Sequence, residues 1–185
     1  MFGCTAASGK NLSRPQTRRF ATESHAPRMN SKQKNALLHQ VEQYCVKRGA
    51  RLTPIRKQIL SLILAYPNVV KAYEILADLR KIKSNAAPPT VYRALDFLVH
   101  IGVLHRADSL NGYVLCSHFG EEHTSVILNC THCGATEELA AEEPVDILLA
   151  FCRERGFTVQ DGPLVLSGEC ARCHGKHTTH HPPES

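Results

Sequence analysis

Pro88-Pro-Thr-Val-Tyr-Arg-Ala-Leu-Asp-Phe-Leu98, followed by Gly102, Val103-Leu104 and Asn111-Gly-Tyr-Val-Leu-Cys116, is the stretch whose reading decides the fold. Two prolines and a threonine suit the first turn of a helix, where a missing N–H breaks no intrahelical bond. Val91, Leu95, Leu98 and Val99 recur at helical spacing and Gly102 ends the element. The next two apolar runs are short, and the Asn111-Gly112 pair between them is a strong hairpin-turn signal.

Working back toward the N-terminus, three further helices are predicted. Residues 31–48 place Leu37, Leu38, Val41, Tyr44 and Cys45 on one side, with Ser31 as cap and Gly49 as stop. Thr53-Pro54 opens a second helix with Ile55, Ile59, Leu62 and Ile63 as its stripe, stopped by Pro67. Residues 71–82 form a third, with Ile75, Leu76 and Leu79 inward. Helices closed by a β-hairpin are the order of a winged helix-turn-helix. The alternative is a small helical bundle with an appended hairpin, and the charge favours the first.

That charge is +5 overall in a chain of 185 residues, and it is unevenly placed. Residues 1–58 carry Lys10, Arg14, Arg18, Arg19, Arg28, Lys32, Lys34, Lys47, Arg48, Arg51, Arg56 and Lys57 against Glu23 and Glu42 alone. From 121 to 146 the balance reverses with Glu121, Glu122, Glu137, Glu138, Glu142, Glu143 and Asp146. A basic front and an acidic stretch behind it point to a polyanion-binding domain joined to a second unit. No apolar run reaches the ~18 residues of a membrane helix, and no apolar stretch follows Arg18-Arg19 to make a signal peptide. A cytoplasmic protein is expected. Residues 1–28 lack periodicity and read as a disordered extension, with Met29 a candidate initiator.

Past the hairpin, a polar connector containing Gly120 leads to a second domain. Its expected elements are a strand over 124–129, a helix over 144–155, and strands at Phe157-Thr-Val159 and Leu164-Val-Leu166. The tail from Gly175 is polar, and His174, His177, His180 and His181 read as solvated rather than as a further site.

Eight cysteines without a secretion signal favour metal over disulfides. Cys130-Thr-His-Cys133 and Cys170-Ala-Arg-Cys173 are two matched knuckles, each able to aim both sulfurs at one ion. Four thiolates suit tetrahedral Zn²⁺, leave no open position for a substrate, and tie together the two ends of the second domain. A redox dithiol is the competing reading. Cys45 and Cys152 sit in helical patterns as packing residues, and Cys4 has no evident metal partner.

The 88–98 helix and the two knuckles together resemble the ferric uptake regulator superfamily of metalloregulators, over residues 32 to 174. The iron regulators of that superfamily carry a His-His-Asp-His run before the first knuckle. Glu121-Glu-His-Thr-Ser125 stands here instead, and with Tyr113-Val-Leu-Cys116 it is similar to the zinc-uptake-regulator branch. The resemblance implies an α+β chain: a winged helix-turn-helix DNA-binding domain (29–115), a hinge (116–122), and a small α/β dimerisation domain (123–175) holding the Cys4 zinc, with a His-containing tail (176–185). It implies a second, regulatory zinc on His105, Cys116, His123 and Glu138, hence two Zn²⁺ per chain. His118 and Glu137 are the neighbours that compete for two of those places. Such an ion would bridge the hairpin and the second domain and fix the angle between them.

For DNA, Arg93 near the start of the 88–98 helix is the candidate base contact, since guanidinium pairs bidentately with guanine. Tyr73 resembles a base-contacting position of the family. Tyr92 is placed for phosphate, with half-buried packing as the alternative for both tyrosines, and Thr90 and Lys71 are candidates for backbone contacts. Arg51 and Arg56 also lie within reach of phosphate. The resemblance further implies a homodimer on a palindromic operator, repressing zinc-import genes when the hinge is zinc-loaded. A sister regulator sensing another metal or peroxide, and a zinc-linked thiol switch, are the alternatives. A zinc hydrolase is disfavoured because the Cys4 site is closed and no separate activated nucleophile is evident.

Overall fold

The computed structural model describes residues 29–121 and 123–174. The extension expected over 1–28, with Cys4, and the tail from 175, with His177, His180 and His181, lie outside the described residues.

Four helices come first: α1 (Ser31–Lys47), α2 (Pro54–Ile63), α3 (Ala72–Ile82) and α4 (Pro88–His100). The cap of α1 is Asn30 rather than Ser31. Asn30 Oδ1 accepts from the Gln33 amide at 2.9 Å, and Gln33 Oε1 accepts from the Asn30 amide at 2.9 Å. This reciprocal box satisfies two amides that a serine one residue later would leave open. Helix α2 closes at Leu64, ahead of Pro67, because the Tyr66 amide already turns back to the Ile63 carbonyl. The apolar stripes meet in one core, where Val41, Ile59, Leu60, Ile75, Leu79, Val91, Leu95 and Leu98 are fully buried. Each such side chain contributes roughly 1.5–3 kcal/mol. Cys45 belongs to this core, as a small apolar residue.

The hairpin pairs β1 (Leu104–Ala107) antiparallel with β2 (Gly112–Leu115). Its connection is a short 3₁₀ turn over Asp108–Leu110 and then Asn111, so the expected two-residue Asn-Gly turn is not formed. Asn111 supplies the left-handed residue at φ 49°. Gly112 serves a different purpose. A β-carbon there would overlap Val69 Cγ1 and lie 3.0 Å from the Val70 carbonyl oxygen. That close approach lets Val70 and Tyr113 exchange two backbone hydrogen bonds of 2.9 and 2.8 Å, joining the segment before α3 to the hairpin. Gly112→Ala is expected to displace this bridge and cost about 1–3 kcal/mol, measured by urea unfolding.

The second half is a three-stranded sheet ordered β4–β3–β5, with β3 (Ser125–Cys130) central, β4 (Thr136–Ala140) antiparallel to it and β5 (Leu164–Gly168) parallel. Helix α5 (Glu142–Glu154) makes the crossover, with Glu142 and Glu143 in its first turn, where the helix dipole favours acids. Strand β4 was not among the expected elements. Conversely, Phe157-Thr-Val159 forms no strand, and its two apolar side chains stand exposed. Three residues do not hold a strand on their own, and these pair with neither edge of the sheet.

Ser125 and Ile127 of β3 share the face that looks toward the hairpin. Ile127 packs with Ala107 and Val114, bordered by Val69, Leu110 and Val165. Beside this seam the Thr136 amide donates to Asn68 Oδ1 at 3.2 Å. The rest of the second half carries exposed Ile147, Leu148, Phe151 and Leu166. No helix among the described residues is long and apolar enough to cross a membrane.

Candidate metal centres and nucleic-acid interface

The two knuckles converge. Cys130 ends β3 and Cys170 follows β5, so the parallel pairing of those strands brings the distant cysteines together. The four sulfurs of Cys130, Cys133, Cys170 and Cys173 lie within 4.8 Å of one another, and all are free thiols. Gly134, at φ 68°, lets the chain reverse after the first knuckle, with its amide returned to the Cys130 carbonyl at 2.9 Å. Backbone amides of Cys133 and Cys170 draw the Cys130 thiol down to about 6. Burial works against Cys170, but the amides of Cys173 and Arg172 prevail and lower it as well. Cys173 is pushed up to about 12, by burial and then by the neighbouring thiols. Cys130 and Cys170 are thus eased toward the thiolate while Cys173 resists, and a soft divalent cation would offset that resistance. The donor set fits zinc. Outside it, His132 Nε2 and Glu169 Oε1 pair at 2.8 Å and clasp the two knuckles.

A second cluster lies where the hairpin meets the sheet. One donor atom each from His105 (β1), Cys116 (just after β2), His123 (just before β3) and Glu138 (β4) come within 4.8 Å of one another. Glu138 Oε1 is 2.6 Å from His105 Nε2 and 3.2 Å from His123 Nε2, and Cys116 Sγ is 3.4 Å from His123 Nε2. Burial alone would raise the Glu138 carboxyl. The His105 ring, the Ser117 amide and the Ser125 hydroxyl outweigh it and hold the group well below the usual carboxylate range. Burial, reinforced by Glu138, pushes the Cys116 thiol up to about 12. Two imidazoles, a thiol and a carboxylate fit a tetrahedral zinc site with N₂SO donors.

The competing neighbours fall outside this cluster. Glu137 pairs with Leu128 on the opposite face of the sheet, where Oε2 is buried without a hydrogen-bond partner among the described residues and burial raises the carboxyl. His118 sets its ring tilted against that of His123, with centroids 5.4 Å apart, and turns Nδ1 into a buried position without a partner among the described residues. Two supporting groups escaped the sequence reading. Ser125 Oγ donates to Glu138 Oε1 at 2.7 Å and lies 3.0 Å from His105 Nε2. The Glu121 carbonyl accepts from His123 Nδ1 at 3.0 Å, which leaves Nε2 facing the cluster. Ser125 closes the Glu121-Glu-His-Thr-Ser125 segment, whose resemblance to the zinc branch does not by itself assign the serine a role.

The candidate DNA contacts lie on α3 and α4 and at their starts. Tyr73 is 64% exposed and Tyr92 51%, so neither is a packing residue. Arg93 projects beside Tyr92, while Thr90 and Lys71 are half-buried at the starts of α4 and α3. Arg56 is engaged otherwise: its guanidinium lies 3.5 Å from the Phe97 ring centroid and donates to the Arg51 carbonyl at 2.9 Å. It braces α4 against α2 rather than reaching outward.

A winged helix-turn-helix, a sheet with a Cys4 cluster and a second donor cluster where the two meet define a metal-dependent DNA-binding regulator. The chain belongs to the ferric uptake regulator family, which residues 47–167 match. It is 40% identical over 147 residues to the zinc uptake regulation protein of Escherichia coli K12, covering 79% of this chain and 86% of that relative. It is 30% identical over 132 residues to the ferric uptake regulation protein of Bacillus subtilis, covering 69% and 88%. Among solved structures it resembles a zinc uptake regulator complexed with zinc and DNA, with TM-score 0.70 and 39% identity over 78% of this chain and 96% of that one. It also resembles holo XcZur, with TM-score 0.67 and 41% identity over 75% and 97%.

Proposed function

We propose that the chain is a zinc-responsive transcriptional repressor, which binds operators of zinc-uptake genes as a homodimer when its hinge cluster holds zinc. It is a regulator and not an enzyme, as its family membership indicates. The observation that carries the reading is the division of the hinge donors. His105 and Cys116 belong to the hairpin, His123 and Glu138 to the sheet side, so closing the set fixes one half against the other. The likeness to a regulator solved with zinc and DNA supports it.

In this reading the residues divide into three tasks. Cys130, Cys133, Cys170 and Cys173 hold a structural zinc that stiffens the 123–175 domain. His105, Cys116, His123 and Glu138 hold a regulatory zinc at the 116–122 hinge. Arg93, Tyr92, Tyr73, Thr90 and Lys71 meet DNA from the 29–115 domain, in the cytoplasm. The thiolate of Cys116 favours zinc over iron or manganese, which prefer harder donors. The two-fold axis of the dimer sets two α4 helices at the spacing of a palindromic site. Zinc-dependent closure and DNA binding are linked, so each strengthens the other by the same factor.

Metal analysis of the purified protein tests the count. Two zinc ions per chain are expected, falling to one after mild chelation together with loss of operator binding. A single ion throughout, with operator binding retained, would contradict the regulatory site. A pH dependence follows as well. With the Cys116 thiol near 12, the metal-free site is protonated across the neutral range, whereas the loaded site needs the thiolate. Loading therefore releases a proton from Cys116, and affinity should rise about tenfold per unit between pH 6 and 8. Calorimetry in buffers of different ionisation enthalpy reads that proton directly.

A further inference from the structure

Glu138 is held by both of its oxygens. Oε2 accepts from the Ser117 amide at 2.6 Å, and Oε1 accepts from the Ser125 hydroxyl at 2.7 Å. The strand register is what lets the serine do this. Ser125 pairs with Ala140 and Ile127 with Glu138, so Ser125 and Glu138 are diagonal neighbours on one face of β3 and β4. A single hydrogen bond leaves a carboxylate free to pivot about it, whereas two bonds on different oxygens fix its plane. Oε1 is thereby set among the imidazoles, 2.6 Å from His105 Nε2 and 3.2 Å from His123 Nε2, while Oε2 is engaged by the hinge backbone.

The surroundings leave little room for a further donor. Cys116 is 1% exposed and the Glu138 side chain 2%, with 9% for His123 and 17% for His105. Ser125 is itself buried, and its oxygen lies 3.0 Å from His105 Nε2 as well as against Glu138. It fills the space beside Oε1 that a water would otherwise take. Four donors from four side chains suit zinc, which is satisfied by a tetrahedron, and not manganese(II), which favours an octahedron of oxygens.

We propose that Ser125, together with the Ser117 amide, holds Glu138 as a one-oxygen ligand and so limits the hinge site to four donors, which makes Ser125 a specificity-determining residue for zinc. The proposal rests on the regulatory-site reading. It adds selection by donor number to the selection by donor softness that Cys116 supplies. Ser125 is a positioning residue, acting through the carboxylate and not on the ion. Without its hydroxyl the carboxylate pivots about the Ser117 bond and a water enters the space, so that a fifth donor reaches the ion.

The test uses the full-length protein with zinc in the Cys4 cluster, titrated at the hinge with zinc and, separately, with cobalt(II). The visible d–d absorption of cobalt(II) is intense in a tetrahedral site and weak at higher coordination number. The wild type should give the intense band. Ser125→Ala removes one oxygen and no backbone bond of β3, so the strand pairing remains. It should weaken the band and lower zinc affinity about tenfold. Cobalt affinity should fall by less, so that the zinc-to-cobalt affinity ratio contracts about threefold. A variant that keeps the wild-type band, or one whose zinc-to-cobalt ratio is unchanged, overturns the proposal, because support by packing alone would weaken both ions equally. A band that strengthens in the variant makes the serine oxygen a ligand itself and overturns it too. A weak d–d band in the wild type does so without any variant, while thiolate-to-cobalt absorption from Cys116 still upholds the hinge site. A wild-type protein with no such absorption overturns both.

Discussion

A Cys116→Ser chain is expected to bind operator DNA no better with zinc than without it. The sulfur is buried at the centre of the hinge cluster, 3.4 Å from His123 Nε2. Serine fits the same space, and the Cys116 amide still donates to the Val103 carbonyl at 3.0 Å, so the hairpin is undisturbed. What disappears is the thiolate, and a serine hydroxyl does not ionise at neutral pH to replace it. Couplings between such sites are typically ~1–3 kcal/mol, or ~5–150-fold. Operator affinity at saturating zinc should therefore fall by as much as about 100-fold, to the metal-free level. Anisotropy of a labelled operator with and without zinc measures this, and one zinc per chain should remain. Zinc-responsive binding at the wild-type level would remove Cys116 from the sensor.

Cys130→Ser should act on the fold itself. In the described second half the buried residues are Ser125, Val126, Ile127, Cys130, Val145 and Cys170, a core in which the cysteines are themselves major members. So small a core needs a staple. The first knuckle is built into the sheet, with the Cys130 amide donating to the Ala135 carbonyl at 2.8 Å and the Thr131 amide to the Gly168 carbonyl at 2.9 Å. Structural zinc contributes apparent energies of ~10–16 kcal/mol, comparable with the whole stability of a small domain, ~5–15 kcal/mol. Amides of β3, β4 and β5 should lose hydrogen-exchange protection, while those of α1 to α4 keep it. Protected strands in a protein lacking that zinc would contradict the structural role.

What was legible in the sequence was what is local. The helix from Pro88, the packing stripes and both knuckles depend on residues a turn or a few positions apart, and spacing alone reveals them. The hinge donors lie from 105 to 138 on four different segments, so only the likeness to a known family could group them. Strand β4 was missed because Thr136-Glu-Glu-Leu-Ala140 has no apolar alternation. Its strand state comes from pairing with β3 and from the demand that Glu138 face His105. The strand expected at Phe157–Val159 fails for the converse reason: its residues favour a strand, but they pair with neither β4 nor β5 at the edges of the sheet. Arg56 was likewise read from charge, when its neighbour in space, Phe97, decides its role.

The apolar seam of Ala107, Val114 and Ile127, with the Asn68–Thr136 bond beside it, has a bearing on dose. If closure at this cluster is the switch, as proposed, these contacts favour the closed arrangement whether or not any donor is engaged, so they set how much of the work is left for the ion. A molecule already leaning toward closure answers at a lower free-zinc concentration, because apparent affinity scales with the fraction in the competent state. Trimming the seam by one methyl, as in Ile127→Val, weakens it by about 0.5–1.5 kcal/mol and so moves the threshold upward by ~2–12-fold with all four donors intact. The alarm level of the regulator is thus written in hydrocarbon, several ångströms from the atoms that do the sensing, and can be retuned without rebuilding the sensor.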